Sequence, residues 1–215
     1  MQPQIDHLII AARNLSEGSD YVFDTLGIRP REGGEHIAQG THNLVLRLGD
    51  RCYMEVLAVN PVAPKPPHPR WFELDSEAMQ ETLRRKPLLL TWAVRTEQIE
   101  QLAEKSIAPL GTVTPMSRGD LRWRLTLAED GRLRFGGMIP FLIQWDETIH
   151  PASRMADNGC SFVSLTGFHP KTDEILAVLR SFDADRLVSL ETIHSGQTPR
   201  LETLIQTPSG VKRLS

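Results

Sequence analysis

Ile5-Asp6-His7-Leu8-Ile9-Ile10, taken with its echo Tyr53-Met54-Glu55-Val56-Leu57-Ala58-Val59, decides the reading of this chain. Both are apolar, β-branched-rich runs of strand length. Strand side chains alternate, so Ile5, His7 and Ile9 share one face, and Tyr53, Glu55, Leu57 and Val59 share another. A carboxylate set among apolar neighbours costs several kcal/mol unless it is paired, hydrogen-bonded or bound to a cation. An imidazole beside Glu55 is one such partner, and a divalent metal held by both is another. A purely structural His–Glu pair, or a glutamate on a partly wet sheet face, satisfies the same pattern.

Working outward, the His7 strand runs into a helix opened by Asn14 and Glu17, a loose capping box, and closed by Gly27. A Gly- and charge-rich loop, Arg29 to Thr41, leads to a strand at Asn43–Leu48, with part of Glu35–Ala38 as a further candidate strand. Gly49-Asp50 reads as the hairpin turn into the Glu55 strand. Asn60 to Pro69 is too rich in proline for a helix or a central strand. A short helix follows, over Trp71 to Arg85. The pattern then recurs: strand from Leu88 to Val94, helix from Thr96, a strand alternating through Leu121, Trp123, Leu125 and Leu127, and a closing strand from Ile139 to Trp145. It begins again at Cys160, with a strand at Ser161–Phe168, a helix at Thr172–Phe182 and strands near Leu187–Glu191, Leu201–Gln206 and Val211–Leu214. Such an internal repeat organises the fold. The expected units are residues 1–60, a connection at 61–87, a second unit at 88–147 and a third at 158–215.

Strand–helix–strands in repetition, with Ile5-Asp6-His7-Leu8 at the start, Gly40-Thr41-His42-Asn43 before the hairpin, Tyr53–Leu57 and Ile139-Pro140-Phe141-Leu142-Ile143-Gln144-Trp145, resembles the glyoxalase-like proteins of the vicinal oxygen chelate superfamily. The resemblance covers roughly residues 1–147. It implies an α+β fold of repeated βαβββ modules whose curved sheets face each other around a cavity, here with a third βαββ(β) module at the C-terminus. It also implies a divalent cation (Zn, Ni, Fe or Mn) that chelates neighbouring substrate oxygens and stabilises developing negative charge. His7 and Glu55 match the first module's ligand pair, and Gln144 stands where the second module's closing-strand carboxylate would be. The opening-strand position, near Leu89–Thr91, holds no histidine; Thr91 offers a weak oxygen. The ligand set is therefore short, and a metal-free cavity in which His7 and Glu55 bind or deprotonate the ligand is the alternative. A carboxylate in an apolar pocket has the raised pKa that a general base near neutral pH needs.

Other candidates line up behind this pair. His36, His42 and Asn43 flank the loop at the expected cavity mouth. Trp71, Phe72, Trp92 and Trp123 are candidate pocket walls, although aromatics at such positions also serve as plain core. Arg122 and Arg124, opposite Trp123 on their strand, could hold a carboxylate or phosphate. His150, His169 and His194 fall in or near loops and carry no role in this reading.

A chain of 215 residues with 24% charged residues has ample core for one or two domains. Its net charge of −3 gives no electrostatic case for nucleic acid or an anionic membrane. No apolar run approaches the ~20 residues of a membrane span, and the N-terminus has no basic segment followed by an apolar core, so a cytoplasmic location is expected. Cys52 and Cys160 read as buried free thiols. Two function classes follow. One is a metal-dependent lyase, isomerase or dioxygenase acting on a small oxygenated metabolite; the other is a metal-free protein that sequesters a small molecule, as bleomycin-resistance proteins do. The helix Thr172–Phe182 has an apolar stripe its own strands cannot cover. The third unit is thus expected either to pack beside the others within one chain or to meet its counterpart in a homodimer.

Overall fold

The computed structural model describes residues 2–146, 149–194 and 196–215; the expected boundary at 147 lies outside them. Strand β1 (Gln4–Ala11) is buried from Ile5 onward because it has a neighbour on each side and cover on both faces. After it, Asn14 caps α1 (Leu15–Leu26) by accepting from the Glu17 amide at 2.9 Å, and Gly27, at φ 76°, ends the helix. Three strands follow, β2 (Arg31–His36), β3 (Thr41–Arg47) and β4 (Tyr53–Val59). The expected loop from Arg29 is thus largely a strand, and it pairs along the edge of β3. A single turn at Trp71–Glu73 and helix α2 (Glu77–Arg85) complete the connection.

The second module repeats the order with β5 (Leu88–Arg95), α3 (Ile99–Lys105), β6 (Thr112–Arg118), β7 (Leu121–Leu127) and β8 (Phe141–Trp145). The two modules do not form separate sheets. β1 and β5 pair antiparallel, giving one eight-stranded sheet of order β2-β3-β4-β1-β5-β8-β7-β6. The sheet curls until its two edges approach: Arg118 at the end of β6 reaches His36 at the end of β2, Nη1 to Nε2, at 3.4 Å. Gly34 (φ 146°) makes this approach possible, since a Cβ there would lie 2.9 Å from the Arg118 Cδ.

The C-terminal unit has the expected element order: β9 (Ser161–His169), α4 (Thr172–Ser181), β10 (Ser189–Thr192), β11 (Arg200–Thr207) and β12 (Gly210–Leu214). Its sheet order is different, β10-β9-β11-β12. The expectation of a third copy of the same repeat is corrected here. After α4 the chain returns directly beside β9 as a parallel neighbour, whereas β2 and β6 go to the far edges of their modules. This unit packs on the convex side of the cup. Leu165, Ile175, Leu179, Phe182 and Leu201 share one core with Leu8, Ile10, Trp92 and Leu142, and the Phe162 amide donates to the Leu48 carbonyl at 3.0 Å. Of the two expected arrangements, the one within a single chain is present. The α4 stripe is covered there. Cys52 and Cys160 are free thiols, and burial pushes the Cys52 thiol up to about 12.

Burying each large side chain of this shared core stabilises by about 1.5–3 kcal/mol. A chain ending at Asn158 should therefore lose solubility or bind a hydrophobic dye strongly. A soluble truncation melting at the temperature of the full chain would contradict the shared core.

Candidate functional site

The concave face of the cup is lined by His7 and Ile9 from β1, Tyr53 and Glu55 from β4, and Asn43 from β3. The second module contributes Trp123, Leu125, Phe141, Ile143 and Trp145, and Arg118 closes the rim. Together with His36, Trp71 and Phe72 they surround about 410 Å³, open mouth included. Most polar groups thus come from the first module and the apolar wall from the second, with the Arg118 guanidinium as the second module's charged group.

The polar centre is built around Asp6. In the β1–β5 pairing the register shifts between Ile5 and His7, a bulge that leaves Asp6 outside the ladder and re-aims its side chain. Fully buried, Asp6 accepts from His7 Nδ1 at 2.7 Å, Trp145 Nε1 at 2.9 Å and His150 Nε2 at 2.9 Å. Burial alone would raise its pKa. The hydrogen bonds from His150 and His7 more than reverse this and hold the carboxyl well below the usual carboxylate range. His150 can only donate through Nε2, because its Nδ1 accepts from the Ala152 amide at 3.1 Å. With Asp6 on Nδ1, His7 presents Nε2 to the cavity. Tyr53 stacks on the imidazole (centroids 4.6 Å, 20°) and Phe141 meets its edge, so the ring is held on both sides. Burial raises the Tyr53 pKa well above its ordinary value, which leaves the phenol neutral.

His7 Nε2 faces Glu55 Oε2 at 3.6 Å, and both side chains are almost fully buried. Glu55 Oε1 is taken by Asn43 Nδ2 at 2.7 Å. Gly33 leaves room for that amide, since a Cβ there would lie 2.2 Å from Asn43 Oδ1. His36 donates through Nδ1 toward Thr41 Oγ1 at 3.2 Å and accepts from Arg118 through Nε2. Its pKa falls to about 4, chiefly through burial, against an opposing pull from Glu55.

Trp71 and Phe72 form a stacked pair over the mouth (5.1 Å, 13°), with Trp71 on the edge of His36 and Phe72 against Phe141. The turn that aims them has Phe72 at φ 58° and Glu73 at φ 57°, a left-handed backbone that costs non-glycine residues about 1–2 kcal/mol each. Gly131, whose carbonyl accepts from the Glu73 amide, and Leu133, whose amide donates to the Glu73 carboxylate, hold the strained turn in place.

Of the expected site residues, His7, Glu55, Asn43, His36, Trp71, Phe72 and Trp123 meet in this cavity, and five do not. Gln144 alternates with Ile143 and Trp145, so it points to the other face, where its Oε1 accepts from the Ile99 amide at 3.0 Å. Arg124, one residue from Trp123, points the same way and pairs with Glu100. Trp92 lies in the convex core with its indole N–H on the Met138 carbonyl. His42 neighbours Asn43 on β3 and faces away from the cavity for the same reason of alternation. Arg122 bonds backbone carbonyls of its own hairpin. Asp6, Tyr53, Arg118 and His150 are cavity or support residues the sequence reading left out. The one available signal was an acid directly beside His7 in an otherwise apolar strand.

The donors suit a resident divalent ion poorly. His7 Nε2 and Glu55 Oε2 could share one, but with Gln144 turned away the second module adds no ligand among the described residues. Thr91 spends its hydroxyl on the Gly137 carbonyl. His36 Nε2 is engaged by a guanidinium, itself a cation at the site. Among the described residues no cluster of three or more His, Cys, Asp or Glu is placed to hold a metal.

A family model described as a glyoxalase-like domain matches residues 5–182. None of the curated proteins matches the chain. Among solved structures, a hypothetical protein from Staphylococcus aureus aligns with TM-score 0.60 at 16% identity, over 99% of this chain and 85% of that one. That likeness is one of fold, and it extends over the C-terminal unit. A methylmalonyl-CoA epimerase in complex with methylmalonyl-CoA and NH4+ aligns at TM-score 0.44 and 14% identity, over 70% of this chain and all of that one. The epimerase from Mycobacterium tuberculosis gives 0.41 and 16%, over 66% and 86%.

The His36 shift has a sign that can be measured. Its folded pKa of about 4 lies below the ordinary 6.5, so between these values the unfolded chain takes up the proton first. Stability from this group is complete above pH 6.5 and is lost as the pH falls toward 4. The melting temperature should drop over that window, and His36→Gln should flatten the drop. Parallel wild-type and variant curves would assign the acid sensitivity elsewhere.

Proposed function

The chain belongs to the glyoxalase-like domain family of the vicinal oxygen chelate superfamily, and from that premise we propose that its cup binds a small oxygenated metabolite and moves a proton on it. The reading rests on one observation: Glu55 Oε2, free of the Asn43 bond, faces His7 Nε2 at 3.6 Å in a cavity with a largely apolar second wall. A C–H beside a substrate carbonyl loses its proton to Glu55 Oε2, and the electron pair passes into the carbonyl to give an enolate. His7 takes the proton from Glu55 through Nε2 and delivers it to a neighbouring atom. The anionic Asp6 compensates the imidazolium formed in between. The outcome is an isomerisation, or an elimination when a leaving group departs from the next carbon.

A divalent ion takes no part in this scheme, because the second module offers it no ligand among the described residues. The same apolar wall, with Trp123, Leu125, Phe141 and Ile143, favours a second reading as a sequestering protein, in which Glu55 and Asn43 only hydrogen-bond the ligand.

Deuterium incorporation beside the carbonyl of small ketones and 2-oxo acids, followed by NMR in heavy water, separates the two. Glu55→Gln should slow exchange by about 100-fold or more while the far-ultraviolet spectrum is unchanged. Binding without exchange in the wild type would leave the sequestering reading. Elemental analysis of protein purified without chelator or a nickel column should find well under one equivalent of divalent metal, and exchange should survive EDTA. A stoichiometric metal whose removal stops exchange would overturn the metal-free scheme.

A further inference from the structure

Arg118 is a cation at the cavity rim without an anion beside it among the described residues. Its contacts among the described residues are to neutral groups, the Nε2 of His36 at 3.4 Å and the Oδ1 of Asn43 at 3.3 Å, both long and both made through Nη1 alone. No carboxylate of the described residues lies within ion-pair distance of it. The nearest acid chemically connected to it, Glu55, is separated by the Asn43 amide, which binds each of them at one end. The stem of Arg118 lies over Gly34, where any larger residue would displace it. A second orphan sits in the same cavity. Trp71 is 4% exposed, lines the cavity, and its indole N–H is buried with no hydrogen-bond partner. Both donors flank one imidazole: the Trp71 ring meets His36 at 5.0 Å, and Arg118 reaches the Nε2 of the same ring. A buried N–H left unpaired costs about 1–3 kcal/mol, and the half-buried Arg118 guanidinium offers its charge beside it. A ligand that satisfied both would recover this.

We propose that Arg118 and the Trp71 indole N–H together bind a carboxylate of the ligand, so that the substrate of the Glu55–His7 pair is a small oxygenated carboxylic acid. This deepens the proton-transfer reading and rests on it for the identity of the reacting centre. A carboxylate matches the donors in number and shape, since its two oxygens accept from a planar guanidinium fork and one further N–H remains to donate to it. A phosphate has a third oxygen and more charge, and the rest of the wall is apolar. The same wall, from Trp123 to Ile143, receives an apolar substituent.

The test uses calorimetric titration of the full chain with pyruvate, 4-methyl-2-oxopentanoate and 2-hydroxy-4-methylpentanoate, each against its methyl ester, which keeps the shape and removes the charge. At least one acid should bind about tenfold or more tighter than its ester, as expected for a charge-assisted hydrogen bond. Arg118→Met should bring the acid down to the affinity of the ester and leave the ester unchanged. Trp71→Phe should weaken the acid by a smaller factor. Equal binding of every acid and ester, or no binding by any acid, overturns the proposal without use of any variant. The wild-type comparison stands even if Arg118→Met does not fold. Deuterium exchange is read in the same samples. Acid-selective binding with no exchange would uphold the carboxylate site and sink proton transfer. Exchange on acids and esters alike would do the reverse.

Discussion

A single buried charge sets the terms for this structure. Asp6 has no contact with water, and an isolated carboxylate in such a place would be neutralised or expelled. It remains ionised because three N–H donors converge on it, from β1, from β8 and from the segment that leaves β8 for the C-terminal unit. Those donors belong to both halves of the cup, so satisfying the charge fixes the halves against each other. It also fixes the tautomer of His7, and with it the nitrogen that faces Glu55. Structural need and chemical use meet in the same hydrogen bonds, which is why the polar centre can be precise inside so much apolar surface.

Curvature is the second constraint. A sheet of eight strands twists, and this one closes far enough for an arginine from one edge to touch a histidine from the other. Glycines at 33 and 34 are the sites where closure would otherwise fail, because Asn43 and Arg118 occupy the space of their missing side chains. The C-terminal sheet covers the convex face and leaves the concave face open. Across the mouth, Trp71 and Phe72 are held by a turn in a strained left-handed backbone. Strain of this kind persists only where surrounding contacts over-determine it, and here it faces the cavity.

The two modules have diverged in chemistry while keeping their topology. One carries imidazole, carboxylate and amide on its concave face; the other carries indole, phenyl and aliphatic groups there, with the Arg118 guanidinium at the rim.

How much of this was legible in the sequence follows from what alternation can and cannot say. Alternation on β1 and β4 put His7 on one face with Ile9, and Glu55 with Tyr53 and Leu57, and these residues do line one cavity or pack beneath it. The element order gave the βαβββ pairs and the α+β class. Alternation also carries a phase, and the phase of β8, β7 and β5 relative to the cavity is set by pairing and curl. Gln144, Arg124 and Trp92 therefore fell on the wrong face by one residue. Arg118 lies on a strand that pairs only along the edge of β7, and it reaches the site because the sheet closes, a contact between residues 82 positions apart. Asp6 depends on a bulge that no local pattern announces. The sequence by itself determined most of the strands, β6 and most of β2 excepted, and which of those it marked carry charge. Only the tertiary structure decided which face each charge shares and with whom, because register, bulge and closure are properties of the whole sheet.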